Sequence, residues 1–229
     1  MAATSRIVFN VGGPGFHPVR EQALRIQQWL GDKFTYEVRD GLDAFEALEG
    51  CDLLVLMGLH WTGWKEEKTE RSLYHPMEDR HKKAFEAYVA SGRPLIAHHG
   101  TIASYDDWPR YGELIGFTWV WGKTSHSPVS DHLVRIHRST HPLVKDLDDY
   151  TIHDELYYDI QTTPGLSTLI HAEAEWQGRA LPMIMSAEGG RVEGAGKVVY
   201  LANGHDMKAF ECAAMQRIWA NAVNWALGL

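Results

Sequence analysis

Short apolar runs alternate with amphipathic stretches through the first hundred residues. Ile7-Val8-Phe9-Asn10-Val11 is a β-branched and aromatic run closed by Gly12-Gly13-Pro14-Gly15, the pattern of a buried strand and its turn. From Pro18 to Lys33 the apolar residues Val19, Ala23, Ile26 and Leu30 recur at intervals of three and four, and Pro18 sits near the start, where its missing N–H is harmless. That spacing predicts an amphipathic helix. Phe34 to Val38 reads as a second strand and Ala44 to Leu48 as a short helix. Asp52 to Met57 reads as a third strand, apolar on both faces as parallel strands between helices are. Glu78 to Ser91, with Ala84, Tyr88 and Val89 on one face and Gly92 as its C-cap, predicts another helix, and Pro94 to Ala97 a fourth strand. This alternation predicts an α/β fold, a three-layer doubly wound and mainly parallel sheet.

Beyond Thr101 the pattern is less regular. A helix is expected near Trp108 to Ile115, with strand-like pieces at Phe117 to Val120 and His132 to His137 and an irregular stretch from Thr140 to Tyr158. Thr168 to Ala172 and Met183 to Ser186 read as strands, Glu188-Gly189-Gly190 as a hairpin turn and Lys197 to Leu201 as the return strand. A long helix over Lys208 to Leu227, striped by Phe210, Ala214, Ile218, Ala222 and Trp225, closes the chain. No repeat or low-complexity linker interrupts it, so residues 1–229 are expected to form a single domain. Leu59 to Met77, aromatic and carrying Lys65-Glu66-Glu67-Lys68, is longer than an ordinary connection, and such loops are often functional.

Composition narrows the function classes. A formal net charge of −8 with no basic stripe argues against nucleic acid as a partner. No run of about 18 apolar residues marks a membrane span. Cys51 and Cys212 lack CxxC spacing, which suits a reducing compartment without disulfides, and the N-terminal residues show no leader pattern; a cytoplasmic protein is expected. Exposed members of the 9 tryptophans suggest a homo-oligomer or a sugar partner.

Thirteen histidines require a positional explanation. Ligands of an open parallel sheet bind outside the carboxyl ends of its strands. His17 follows the first strand, His60 the third, His98 and His99 the fourth, and His205 the strand ending at Leu201. This set points to a functional pocket more strongly than any member does. His81, His132, His137, His171 and His75 read instead as surface or satisfied core residues. Trp61 and Trp64 flank His60, and their flat faces would suit the C–H face of a sugar ring, as would Tyr157 and Tyr158. Each of these rings is as well explained by packing, and Asp154 and Glu155 by helix capping.

The segment Pro94-Leu95-Ile96-Ala97-His98-His99-Gly100-Thr101 resembles the nucleophile elbow of the class I glutamine amidotransferase-like superfamily, with His99 where that superfamily has cysteine. Imidazole lacks the nucleophilicity of thiolate in that chemistry, so glutaminase activity is not expected. Together with the glycine turn ending Phe16-His17, the Asp154-Glu155-Leu156-Tyr157 segment and Asn203-Gly204-His205-Asp206, the elbow makes the chain similar to the ThuA-like (trehalose utilisation) family over nearly its whole length. Pro18 departs from the acid expected after the histidine.

The resemblance implies a flavodoxin-like, amidotransferase-type fold and a part in catabolism of trehalose and related disaccharides, through 3-keto-sugar intermediates. Carried over by position, His99 is the elbow residue, His205 takes the place of the triad histidine, and Glu155 belongs to the acidic motif; these three are the expected catalytic residues. Substrate contacts are expected from His17, His60, Trp61, Trp64, Asp154 and Tyr157. His99, His205, His60 and Glu155 would suit a divalent metal such as zinc. Without a metal, His99 and His205 would serve as acid and base beside a ketone. Two alternatives remain: a non-catalytic sugar-binding or regulatory module, and a hydrolase using Thr101 as nucleophile beside His205.

Overall fold

The computed structural model describes residues 4–63 and 74–229. Trp64 and the charged run after it lie outside the described residues. The elements run β1 (Arg6–Val11), α1 (Val19–Leu30), β2 (Thr35–Asp40), α2 (Asp43–Glu46), β3 (Leu53–Leu56), α3 (Asp79–Ala90) and β4 (Leu95–His98). Then come α4 (Arg110–Ile115), β5 (Phe117–Thr118), β6 (Ser125–His126), β7 (Ser130–Ile136), β8 (Tyr150–Asp154), β9 (Tyr157–Tyr158) and β10 (Gln161–Thr162). The chain ends with β11 (Leu169–Trp176), β12 (Arg179–Glu188), β13 (Lys197–Leu201) and α5 (Ala213–Leu227).

Nine strands form one sheet in the order β2-β1-β3-β4-β13-β12-β11-β7-β8. The first five are parallel, and from β12 onward every pairing is antiparallel. Hydrophobic pattern tracks this division. β3 and β4 are buried at every position, as parallel strands covered by helices must be, whereas β7 buries only alternate residues, His132, Val134 and Ile136. Helix α1 turns Val19, Ala23, Ile26 and Leu30 inward, the face its spacing predicts, and it packs on α5 as α2 packs on α3. Most of the buried apolar side chains belong to a single core cluster.

Three features differ from the sequence-based expectation. The last helix begins at Ala213, because Asp206 Oδ1 accepts from the N–H groups of Lys208 and Ala209 and Cys212 is extended at the N-cap. The pieces read at 168–172 and 183–186 belong to a long hairpin, β11–β12, turned at Gln177-Gly178 with positive φ at both residues, the turn that suits strand twist. The stretch 140–158 contains an edge strand, β8, which continues into Glu155.

Candidate functional site

The strand ends deliver their side chains by different local devices. After β1 the chain turns through Gly12 and Gly13 at φ 108° and 103°, and Gly13 passes so close to the Leu59 carbonyl that a Cβ there would overlap it. The turn closes with the His17 N–H donating to the Pro14 carbonyl (3.0 Å). After β4, His99 adopts φ 46°, a left-handed conformation costly for a side-chain-bearing residue, as expected of a strained elbow. Its strain is held by three contacts: Nδ1–H donates to the Ala202 carbonyl (2.6 Å), while Nε2 faces the Tyr157 hydroxyl (3.0 Å) and Glu155 Oε1 (3.3 Å).

Asp154 holds the other two strand ends together. Its Oδ1 accepts from the backbone N–H groups of Glu155 (2.9 Å) and His205 (3.1 Å), and its Oδ2 from Gly204 N–H (2.7 Å) and Asn203 Nδ2 (3.1 Å). The carboxylate is fully buried. Burial raises its pKa against the lowering from His99 and those backbone donors. One side chain thereby fixes both Glu155 and the turn that presents His205.

The result is a convergence of His17, His99, Glu155 and His205, whose ligand-type atoms all lie within 4.8 Å of one another. The His17 ring stands edge-on to both His99 and His205, with centroids 4.8 Å away in each case. Glu155 bridges outward: Oε2 accepts from His126 Nδ1 (2.8 Å), and Oε1 lies 3.7 Å from His205 Nδ1. Two nitrogens in this group, His17 Nε2 and His205 Nδ1, are buried without a hydrogen-bond partner. Buried polar atoms are almost always paired, so two such nitrogens in one cluster stand out as donors available to a ligand.

Electrostatics separate the imidazoles. Burial pulls His17 well below its ordinary value, and His99 and His205 push it further down. Burial likewise lowers His205, against an upward pull from Glu155. For His99, burial is outweighed by the Glu155 hydrogen bond and the Asp154 charge, so its pKa rises. Burial would raise Glu155, yet the hydrogen bonds from His126 and His99 hold it far below the usual carboxylate range. The cluster therefore offers an ionised carboxylate beside two imidazoles held neutral, the donor states that cations require.

His17, His99, His205, Glu155 and Tyr157 thus come together. His60 does not join them: it stacks on Tyr105 (5.4 Å), and its Nε2 lies 3.3 Å from the Val11 carbonyl. His98 points into the core against Trp219 and Phe210, its Nε2 bonded to the Asn203 carbonyl. Thr101 is fully buried, 3.1 Å from the Tyr111 hydroxyl, which leaves it unsuited to act as a nucleophile. Trp61 lies face to face with Trp121 at 4.0 Å. His81 and His171 are satisfied core residues, bonded to Glu46 and Ser186. His126, absent from the sequence-based set, sits on β6, which pairs with β9 and sets His126 opposite Tyr157. No local motif marks it; only pairing between two-residue strands brings it to Glu155.

A large sheet with a parallel half, followed after β4 by a strained elbow that carries histidine, defines an amidotransferase-type fold without a thiol at that turn. The sequence profile of the ThuA family, described as trehalose utilisation, matches residues 8–226, and the chain belongs to that family. Among solved structures it is similar to a ThuA-like protein of Parabacteroides merdae, at 16% identity with a TM-score of 0.75 over 98% of this chain and 90% of that one. A ThuA-like protein of Bacteroides uniformis gives 16% identity and a TM-score of 0.71, over 99% and 94% of the two chains. A glutamine amidotransferase of Thermotoga maritima shares the fold at 10% identity and a TM-score of 0.54, over 99% and 100%. No curated protein matches the sequence significantly. Family membership supports a carbohydrate-related role. No helix among the described residues is long and apolar enough to cross a membrane.

Proposed function

We propose that the protein is an enzyme acting on a disaccharide or keto-sugar at this cluster, with a divalent metal, zinc by preference, held by His17, His99, His205 and Glu155. The observation that carries the proposal is the convergence of one ligand-type atom from each of His17, His99, Glu155 and His205 within 4.8 Å, in a cluster where two buried nitrogens, His17 Nε2 and His205 Nδ1, have no hydrogen-bond partner. Three imidazoles with one carboxylate are a donor set suited to zinc and related transition metals. His99 supports the assignment from its far side, since Nδ1–H to the Ala202 carbonyl turns Nε2 toward Glu155, and metal binding there would release the proton that Nε2 shares with that carboxylate. His17 replaces His60 in the ligand set anticipated from sequence.

When bound, such a metal acts as a Lewis acid that polarises a carbonyl or hydroxyl oxygen. The chain's own groups complete the site. The Tyr157 hydroxyl, 3.0 Å from His99 Nε2, can donate to a substrate oxygen there. His126 holds the Glu155 carboxylate from the open side. Its Nδ1 lies 2.8 Å from Glu155 Oε2 and 2.9 Å from the Ser127 carbonyl, which places a proton on Nδ1. Calorimetric titration of zinc into protein prepared without a chelating tag tests the metal: one equivalent should bind, and His17→Ala and His205→Ala should each weaken it by about 100-fold or more. Equal binding by wild type and both variants would overturn the assignment. Turnover of 3-keto-disaccharides that is lost in Glu155→Gln separates an enzyme from a sugar-binding module.

A further inference from the structure

Two ring contacts away from the cluster lies a groove of about 240 Å³ with three indole walls, Trp108, Trp119 and Trp121, and one carboxylate, Asp106. Trp119 ties it to the proposed reaction site: its ring meets Tyr157 edge-on at 5.0 Å, and Tyr157 in turn lies 4.5 Å from His99. The next ring outward, Trp121, is 5.7 Å from Trp119. We infer that this groove is a subsite for the second pyranose ring of a disaccharide whose first ring lies against the histidine cluster. The inference rests on the carbohydrate reading above and names where its substrate extends.

Three features favour a sugar over an apolar ligand or a mere packing role. Trp121 is 42% exposed although Trp61 covers one of its faces at an interplanar angle of 12°, so a rigidly backed indole surface stays open to solvent. Flat rings of this kind suit the C–H face of a pyranose, which gains apolar contact without losing its hydroxyls' bonds. Second, Trp119, whose indole lines the groove, has a buried Nε1–H without a hydrogen-bond partner. Third, the Asp106 carboxylate already accepts from Thr62 N–H (2.9 Å) and Thr62 Oγ1 (2.8 Å), which fix its orientation, and each oxygen keeps a second acceptor position for a hydroxyl. The groove is smaller than the roughly 300–1,000 Å³ pockets of drug-sized ligands, a size that fits one sugar ring.

The test is calorimetry with α,α-trehalose and, separately, glucose on wild type, Trp121→Ala and Trp121→Tyr, with zinc titrated into each protein. Trp121→Ala should weaken trehalose about tenfold, the factor equivalent to about 1.4 kcal/mol, and leave glucose and zinc binding unchanged. Trp121→Tyr, which keeps a flat ring, should stay near wild type. The indole N–H resonance of Trp119 should shift with trehalose and stay in place with zinc. Unchanged trehalose affinity in Trp121→Ala, or no trehalose binding by wild type, would overturn the subsite. The zinc isotherms report independently whether the metal reading stands.

Discussion

Replacing Asp154 by asparagine tests how the site is built. The carboxylate has no exposure and accepts four hydrogen bonds, two at each oxygen: Glu155 and His205 N–H at Oδ1, and Gly204 N–H and Asn203 Nδ2 at Oδ2. Asparagine keeps the shape and one acceptor oxygen, but its amide nitrogen must face the other pair of donors. Two buried donors then lose their acceptor, at about 1–3 kcal/mol each, for a total of about 2–6 kcal/mol. Against the roughly 5–15 kcal/mol that stabilises a typical domain, this is a large fraction. Urea unfolding should show a lower midpoint at an unchanged slope, since the surface exposed on unfolding stays the same. Zinc affinity should fall with it, because His205 and Glu155 both hang from this carboxylate. An Asp154→Asn protein within about 0.5 kcal/mol of wild type that has lost sugar binding alone would refute the scaffold role and make Asp154 a substrate contact.

Further outcomes follow from the same geometry. A Cβ at Gly100 would lie 3.0 Å from His17 Cε1 and 3.2 Å from its Nδ1, so Gly100→Ala should displace that ring and weaken zinc about tenfold or more while circular dichroism stays native. Burial, with a smaller push from His99, lowers His98 to about 3. A histidine pKa depressed on folding gives stability present above the unfolded value and lost on acidification. Urea midpoints should therefore fall from pH 7 to pH 5 by an amount equivalent to about 2 kcal/mol for this residue, and His98→Leu should flatten that slope. Removing the imidazole in His126→Ala frees the open side of Glu155, so zinc should bind more weakly, with His126→Gln recovering part of the loss; equal affinities would contradict a positioning role.

The parallel half of the sheet was readable because its strands are short apolar runs punctuated by glycine, and β1, β3 and β4 fall close to where those runs lie. The antiparallel half was harder. β7 and β8 alternate buried and exposed residues, and the pairing that makes them strands is with distant partners. At the site, His99 and His205 were visible because His99 directly follows one strand and His205 lies just beyond another, and the elbow at His99 has a left-handed backbone. His60 has the same strand-end position yet packs on Tyr105, since the chain after β3 turns beneath the glycine loop of β1. Position after a strand gives proximity to the edge; which way the ring points depends on contacts made from elsewhere. His126 illustrates the converse, because nothing near it in sequence announces a partner for Glu155.

X-ray absorption at the zinc edge on the zinc-loaded protein tests the central claim most directly. We predict a first shell of nitrogen and oxygen at about 2.0–2.1 Å, with outer-shell scattering from three imidazoles that drops by one ring in His17→Ala. A shell of oxygens without imidazole scattering, or a spectrum unaltered in His17→Ala, would contradict the account.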